Sequence, residues 1–377
     1  MKIDDKTSHN SPSIRFPEFT GEWKEERLSE IADIYKGAGI SKDQLSDNGE
    51  PCILYGELYT KYKTETITEV ISRTDIDNTK LVRSKANDVI IPCSGETAED
   101  IATARCVIKD GILLGGDLNV IRLHNYDGSF VSYQLNGKRK YDIAKVAQGV
   151  SVVHLYGEHL KGVKTVNPCL AEQKKISRFL SLLDERIAVQ NRLIDRLQSL
   201  MIGIAQKIAH SNKPNVRISD CLECSSSALQ ESEVNKTGKY PVYGANGIVG
   251  YIDKYHTQNE AIYIIKDGSG VGGVSYVTGK CSSTGTLNIL QAKNGHSLKY
   301  LYYLLKVFNF VPYKTGMAIP HIYFKDYGKA KIFCPAYPEQ LEYAKLLSSI
   351  DGNLRIALDS LKNFNLQKQY LLRLMLI

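Results

Sequence analysis

Val153-His154-Leu155-Tyr156, then Pro168, then Glu172-Gln173 at the head of a long heptad stretch: this run decides the fold, because the chain contains it twice. The second copy reads Pro320-His321-Ile322-Tyr323, then Pro335, then Glu339-Gln340. The offset is constant, since 321 − 154 = 167, 335 − 168 = 167 and 339 − 172 = 167, and Gly149 and Gly316 share it. A fixed internal period marks repeated structural units. This unit is no short solenoid repeat. It reads as a globular segment followed by a long helix, and the chain as two of them.

Upstream of the markers the copies are looser. Arg27-Leu28-Ser29-Glu30-Ile31 parallels Arg217-Ile218-Ser219-Asp220-Cys221 at an offset of 217 − 27 = 190, so the first unit carries extra residues in its middle. Tyr55-Gly56 parallels Tyr243-Gly244, and Asp88-Val89-Ile90-Ile91 parallels Glu260-Ala261-Ile262-Tyr263. Leu118-Asn119-Val120-Ile121 parallels Leu287-Asn288-Ile289-Leu290. Short β-branched runs punctuated by Gly predict a β-rich core. One helical stretch (Phe130–Gln134; Leu298–Phe308) precedes each glycine loop. The expected fold class is therefore α+β, with two globular units at 14–168 and 213–335. A disordered tail is expected at 1–13, and helices at 169–212 and 336–377.

The helices are the clearest local prediction. Apolar positions run Leu180, Leu183, Ile187, Ile194, Leu197, Met201, Ile204 and Ile208, with Gln190 in the vacant slot. They then run Leu347, Ile350, Leu354, Ala357, Leu361, Phe364, Leu371 and Met375, with Lys368 as the polar exception. Alternating spacing over about four heptads indicates a coiled coil. Each helix of about 40 residues extends roughly 60 Å. Neither can bury its stripe alone. The economical solution packs the two antiparallel in one molecule, relating the units by an approximate two-fold axis. The alternatives pack each helix on its own unit or pair helices between chains. Gln190 and Lys368 either fix register, as polar a/d groups can, or lie at solvated spots.

The chain of 377 residues is 43% hydrophobic and 24% charged, with net charge +7 and pI about 8.8. That composition is globular, and the mild basicity fits a polyanion without deciding for one. The polar stretch Met1–Ser13 lacks the pattern of a signal peptide, and no run of about 18 apolar residues predicts a membrane span. Scattered cysteines lead to the expectation of a cytoplasmic protein with reduced thiols. Cys221-x-x-Cys224 has no second pair at zinc spacing, so no metal site is expected.

Catalytic signatures fail on inspection. Gly268-Ser269-Gly270-Val271-Gly272-Gly273 follows a strand, but the chain continues Val274-Ser275-Tyr276-Val277 as another strand rather than the helix a dinucleotide fold needs. The cluster reads as a hairpin, or a loop that another backbone approaches. Gly279-Lys280 lacks P-loop flanks. Asn167-Pro168-Cys169-Leu170 lacks the second Pro and the aromatic that base-flipping amino-methyltransferases stack on the base. His154 and His321 have different acidic neighbours, Glu158 and Asp326, which favours structural or phosphate-contacting roles over catalysis. Basic clusters with interleaved Tyr are the better signal, since Lys and Arg neutralise phosphates. They are Lys61-Tyr62-Lys63, Lys138-Arg139-Lys140-Tyr141, Lys299-Tyr300 and Tyr313-Lys314. Taken singly, each also reads as solvated surface charge.

Over residues 15–377 the pattern resembles the DNA-specificity subunit of type I restriction–modification systems. Its marks are the two P-x-x-x-E-Q helix openings, Leu183-Asp184-Glu185-Arg186-Ile187 with its echo Ile350-Asp351-Gly352-Asn353-Leu354, and the run Tyr240-Pro241-Val242-Tyr243-Gly244-Ala245-Asn246-Gly247-Ile248-Val249-Gly250-Tyr251. The resemblance implies two target-recognition domains, each reading half of a split, asymmetric site on double-stranded DNA. It implies helices that set the spacing and dock two modification subunits. Catalysis would lie elsewhere: this chain would hold no cofactor, the modification subunits would bind S-adenosylmethionine, and restriction/translocase subunits would use ATP and Mg2+. Candidate DNA-facing residues are Lys61, Tyr62, Lys63, Lys138, Arg139, Lys140, Tyr141, Asn246, Lys266, Ser269, Lys299, Tyr313 and Lys314. Helix-packing candidates are Leu180, Leu183, Ile187, Ile194, Leu197, Ile204, Leu347, Ile350, Leu354, Leu361, Phe364 and Leu371. Gly352 interrupts a helix-favouring run, and the apolar end Leu371–Ile377 is expected to pack on the first helix or on a modification subunit. The competing reading is a coiled-coil scaffold that binds only proteins.

Overall fold

The computed structural model describes residues 11–77, 80–149 and 152–377; the expected tail at 1–13 lies, except for its last three residues, outside them. The chain forms two compact units, one of residues up to 190 together with 360–377, the other of residues 191–359. The long helices are thus not bodies of their own: each gives one half to each unit, where that half buries its stripe.

In the first unit the central sheet has the order Ala32–Lys36, Leu118–Leu123, Asp88–Pro92, Arg105–Val107, Thr66–Ile67. All neighbours are antiparallel except the last pair. A second sheet of Ser72–Thr74, Glu50–Ile53, Leu113–Leu114 and Val82–Arg83 accompanies it. The central sheet of the second unit has the matching order Leu222–Ser226, Leu287–Ala292, Glu260–Ile265, Val274–Thr278, without the fifth strand. The difference is the insertion. Between Tyr55/Tyr243 and Asp88/Glu260 the offset falls from 188 to 172, and the extra residues of the first unit supply Thr66–Ile67 and Ser72–Thr74. The paired helices are Gly128–Asn136 and Leu298–Val307, capped by Asp127 accepting from the Phe130 N–H and Ser297 accepting from the Tyr300 N–H, as short polar side chains do at a helix start.

The Pro-to-Gln spacing of the repeat has a physical reason. Gln173 donates through Nε2 to the Pro168 carbonyl (2.8 Å) and accepts through Oε1 from the Asp127 N–H (2.9 Å). Gln340 donates to the Pro335 carbonyl (2.8 Å) and accepts from the Ser297 N–H (2.8 Å). One buried amide thus clamps the start of each long helix to the cap of the short one. The neighbouring glutamates differ: Glu172 takes a bidentate pair from Arg15 at 2.7 Å, whereas exposed Glu339 accepts from the Tyr343 hydroxyl. Replacing Gln340 by Leu orphans a buried donor and a carbonyl, at about 1–3 kcal/mol each. Urea unfolding of the Gln340→Leu chain should show about 2–4 kcal/mol lost; a loss under about 0.5 kcal/mol would remove the clamp's importance.

The helices run Leu170–Ala209 (40 residues) and Tyr337–Met375 (39 residues), the second unbroken through Gly352. Within the first unit Asp184 meets Lys368 and Arg186 lies over the Phe364 ring, so the two halves there are antiparallel. Of the packing candidates, Leu180, Leu183, Ile194, Leu347, Ile350 and Leu354 are buried. Ile187, Leu197, Ile204, Leu361, Phe364 and Leu371 are half-buried; at 204–205 the buried position is Ala205, where the 3.6-residue turn drifts off the heptad. The apolar end packs into the core that holds Trp23, Phe130, Ile176 and Leu180, with Met375 and Leu376 buried and Leu371, Leu372 and Ile377 against them.

Candidate nucleic-acid interface

Each unit builds the same rim around its repeated histidine. In the second unit the glycine cluster is the expected hairpin loop, closing strands Glu260–Ile265 and Val274–Thr278. A second backbone does approach it: Gly268 N–H donates to the Pro320 carbonyl (3.0 Å) and Ile322 N–H to the Lys266 carbonyl (2.9 Å). The His321 loop closes on itself through reciprocal Thr315–His321 hydrogen bonds (2.9 and 2.7 Å). His321 Nδ1 sits 2.7 Å from Asp267 Oδ1, leaving only Nε2 for another partner. In the first unit Leu155 N–H donates to the Cys93 carbonyl (2.8 Å), His154 pairs reciprocally with Gln148 (2.7 and 2.9 Å), and His154 Nδ1 lies 3.2 Å from Ser94 Oγ.

The shared glycine is required by this turn. Gly149 has φ +122° and Gly316 φ +88°, and a Cβ on either would collide with the carbonyl oxygen of Val152 or Ile319. The tight turn pushes side chains into solvent. Met317 and Ile319 are exposed in one unit and Val152 in the other, as are Tyr323 and Tyr156 just past each histidine. Tyr156 stacks on His154, with Lys36 over its ring at 5.8 Å; Lys325 lies over Tyr323 at 5.3 Å. An exposed aromatic with a cation beside it, on a loop fixed by a sheet, suits both bases and phosphates.

The sequence candidates divide accordingly. Lys266, Ser269 and Lys314 belong to this rim, Ser269 and Lys314 exposed and Lys266 half-buried. Tyr313 is half-buried and stacks on Phe308 at 5.8 Å. Asn246 is exposed at a different place, the tip between Tyr240–Gly244 and Gly247–Ile252. Lys138, Arg139, Lys140 and Tyr141 lie where helix Lys140–Val146 begins, and that helix packs on Gly157–Leu160, just past the His154 loop. Arg139 lines a shallow cleft there with Lys145, His159 and Lys164, and it pairs with Asp142 at 3.5 Å. Exposed Tyr141 carries the Lys145 ammonium 4.4 Å from its ring centroid.

Tyr62 and Lys299 are placed differently from the others. Tyr62 is buried, its hydroxyl accepting from the Ile71 N–H, with burial raising it to about 12; it is core of the insertion, flanked by Lys61 paired to Glu57 and Lys63 reaching the Tyr59 carbonyl. Lys299 is half-buried with its ammonium 3.8 Å from the Tyr276 ring centroid, and burial lowers its pKa. The rim also holds Asp267, Met317, Ile319, Val152, Tyr156 and Tyr323, which are outside the sequence candidates. The last two stand 323 − 156 = 167 apart, a signal that lay in the repeat itself.

The type I restriction modification DNA specificity domain matches twice, at residues 20–199 and 211–363, and so takes in most of the chain. A putative type I restriction enzyme specificity subunit of Haemophilus influenzae is 25% identical over 123 residues, 32% of each chain. The type I restriction enzyme EcoprrI specificity subunit of Escherichia coli is 25% identical over 112 residues, 30% of this chain and 28% of that one. The chain thus aligns with about a third of the length of these curated relatives. The crystal structure of a type I restriction–modification S subunit from M. genitalium has TM-score 0.69 at 18% identity, covering 97% of this chain and 99% of that one. A structure described as the basis of complex assembly and conformational transition of the type I R-M system has TM-score 0.52 at 15% identity over 93% and 96%. These two share its fold. With two matched domains, each carrying the same rim and clamped to a long helix, the chain belongs to the type I restriction–modification DNA specificity family.

Proposed function

We propose that this chain is the DNA-reading subunit of a type I restriction–modification complex, each unit reading one half of a bipartite site in double-stranded DNA. The carrying observation is the twin rim: one loop architecture on two units, holding His154–Ser94 in one and His321–Asp267 in the other. Equal frames with unequal side chains present two different sets of donors and acceptors, and base readout depends on such sets. The target is therefore asymmetric. The chain itself performs no chemistry. Two modification subunits supply methylation with S-adenosylmethionine, and restriction/translocase subunits add ATP- and Mg2+-dependent steps.

The helices support the docking of those subunits. Leu182, Val189, Leu193 and Leu200 are exposed on the first helix at steps of seven, four and seven, a stripe apart from the buried one. Ile356, Leu366 and Tyr370 are exposed on the second. Apolar side chains in such a row mark a protein-facing surface. Long helices shared by the two readers also set half-site spacing. Among the described residues no helix is long and apolar enough to cross a membrane.

Genome-wide adenine-methylation mapping in a host carrying this subunit with its modification partner tests the reading. One asymmetric motif, split by a fixed spacer, is expected. A palindromic or uninterrupted motif, or methylation unaffected by deleting the subunit, would overturn it.

A further inference from the structure

The fold brings Cys221, His296 and Cys334 together although 334 − 221 = 113 residues separate the thiols. One ligand atom from each lies within 4.8 Å of the others, and Cys334 Sγ is 3.5 Å from His296 Nδ1. Both cysteines are buried and the histidine is half-buried. We propose that these three residues bind a divalent transition-metal ion, Zn2+ by preference, as a structural staple at the root of the second unit.

The geometry and the donors fit. Tetrahedral zinc with Zn–S about 2.3 Å and Zn–N about 2.0 Å places sulfur and nitrogen roughly 3.5 Å apart, matching the observed 3.5 Å. Two thiolates and an imidazole select Zn2+ over the oxygen-seeking Mg2+ or Ca2+. Binding expels two thiol protons and leaves two thiolates around a doubly charged ion, a neutral assembly that tolerates burial. A water molecule would complete the four-coordinate shell. Cys334 is held in place beforehand: Asn215 Oδ1 accepts from its N–H and Asn215 Nδ2 donates to its carbonyl, both at 2.8 Å. Such outer contacts orient ligands.

The location gives the staple a purpose. Cys221 ends the turn Ile218–Cys221, His296 precedes the cap Ser297, and Cys334 precedes Pro335, where Gln340 clamps the second long helix. The first unit makes this joint differently. Asn167, the residue 167 before Cys334, donates to Glu26 (3.0 Å), and Tyr126, preceding the cap Asp127, donates to the other oxygen of Glu26 (2.9 Å). Ordinary hydrogen bonds close one joint, and soft metal ligands occupy the other. The pair visible in sequence, Cys221-x-x-Cys224, is not the set: Cys224 lies on strand Leu222–Ser226 and is absent from the cluster.

The full chain, purified under reducing conditions, is measured for bound zinc by elemental analysis and titrated with Co2+ alone as a spectroscopic probe. The expected result is about one metal per chain, with sulfur-to-cobalt charge-transfer absorption and intense tetrahedral d–d bands. Cys334→Ser and His296→Ala should each abolish both signals, and Cys224→Ser should keep them. If Cys334→Ser fails to fold, His296→Ala and the wild-type cobalt spectrum still decide. Free thiols without metal, a Cys221–Cys334 disulfide seen by intact mass, or metal retained by His296→Ala would each overturn the proposal.

Discussion

Replacing Lys368 by Met should destabilise the first unit by about 3–5 kcal/mol, the cost of stranding buried charge. The Lys368 ammonium lies 2.7 Å from Glu65 Oε2 and 2.6 Å from Asp184 Oδ1, and all three side chains are at most 14% exposed. The Tyr133 hydroxyl donates to the second Asp184 oxygen at 2.6 Å. Arg105 is buried nearby, with its guanidinium donating to the carbonyls of Leu58, Ala104 and Tyr62. Two cations therefore balance two carboxylates, and the substitution leaves the pocket one positive charge short.

The pH dependence has a definite sign. Burial raises the Asp184 pKa above the ordinary carboxylate value, with Lys368 opposing the rise. Burial alone would lower Lys368, but Glu65 and Asp184 outweigh it and leave it raised. A raised carboxylate takes up a proton on folding, so stability increases as pH falls toward the unfolded value near 4. Without Lys368 the opposing charge is gone, Asp184 rises further, and the gain on acidification is larger. The Lys368→Met deficit should therefore be greatest near pH 8 and smaller near pH 5, and Lys368→Met/Asp184→Asn should recover more than half of it. Urea midpoints at both pH values check this. An equal deficit at both, or one below about 1 kcal/mol, would show that the triad is not the register-fixing contact.

Exchanging the recognition part of the first unit for that of a relative should replace one half of the methylated site and leave the other half and the spacer unchanged. Each mismatched base pair costs about 1–3 kcal/mol, so the old half-site should fall below detection. The structure sharpens the junctions. Ile14 N–H donates to the Leu374 carbonyl, Arg15 pairs with Glu172, and the Phe16 ring lies edge-on to Phe179. Residues 14–16 thus belong to the long helices, and the exchange should run from Lys24, where strand Lys24–Arg27 begins, to Asn167, which ends its partner Lys164–Asn167. Methylation mapping of the chimera reads the outcome; a change in both half-sites would mean that the units do not read independently.

Several parts of this molecule are legible in its sequence. The offset of 167 located the glycine turn, the repeated histidine and the Pro-to-Gln spacing, because each is a local requirement that tolerates little drift. The heptad stripes gave both helices, since an amphipathic helix writes its period directly into the chain. The strands at Asp88 and Glu260 were visible as short apolar runs after an acidic residue, and those at Leu118 and Leu287 as their repeated partners.

Other features depended on the fold. Tyr62 looks like part of a surface cluster until the insertion closes over it, leaving Lys61 and Lys63 exposed on either side. A charge in sequence carries no record of its neighbours across a sheet. Lys368 stood out only as a flaw in a stripe, and its meaning required Glu65, some 300 residues away. Cys221, His296 and Cys334 share no local spacing at all. The sequence by itself determined the repeated frame, the two helices and the family, because periodicity and turn chemistry are local. Only tertiary structure decided what Lys368 pairs with, which loops stand as rims, and where two thiols and an imidazole converge, because those are matters of distance between segments far apart in the chain.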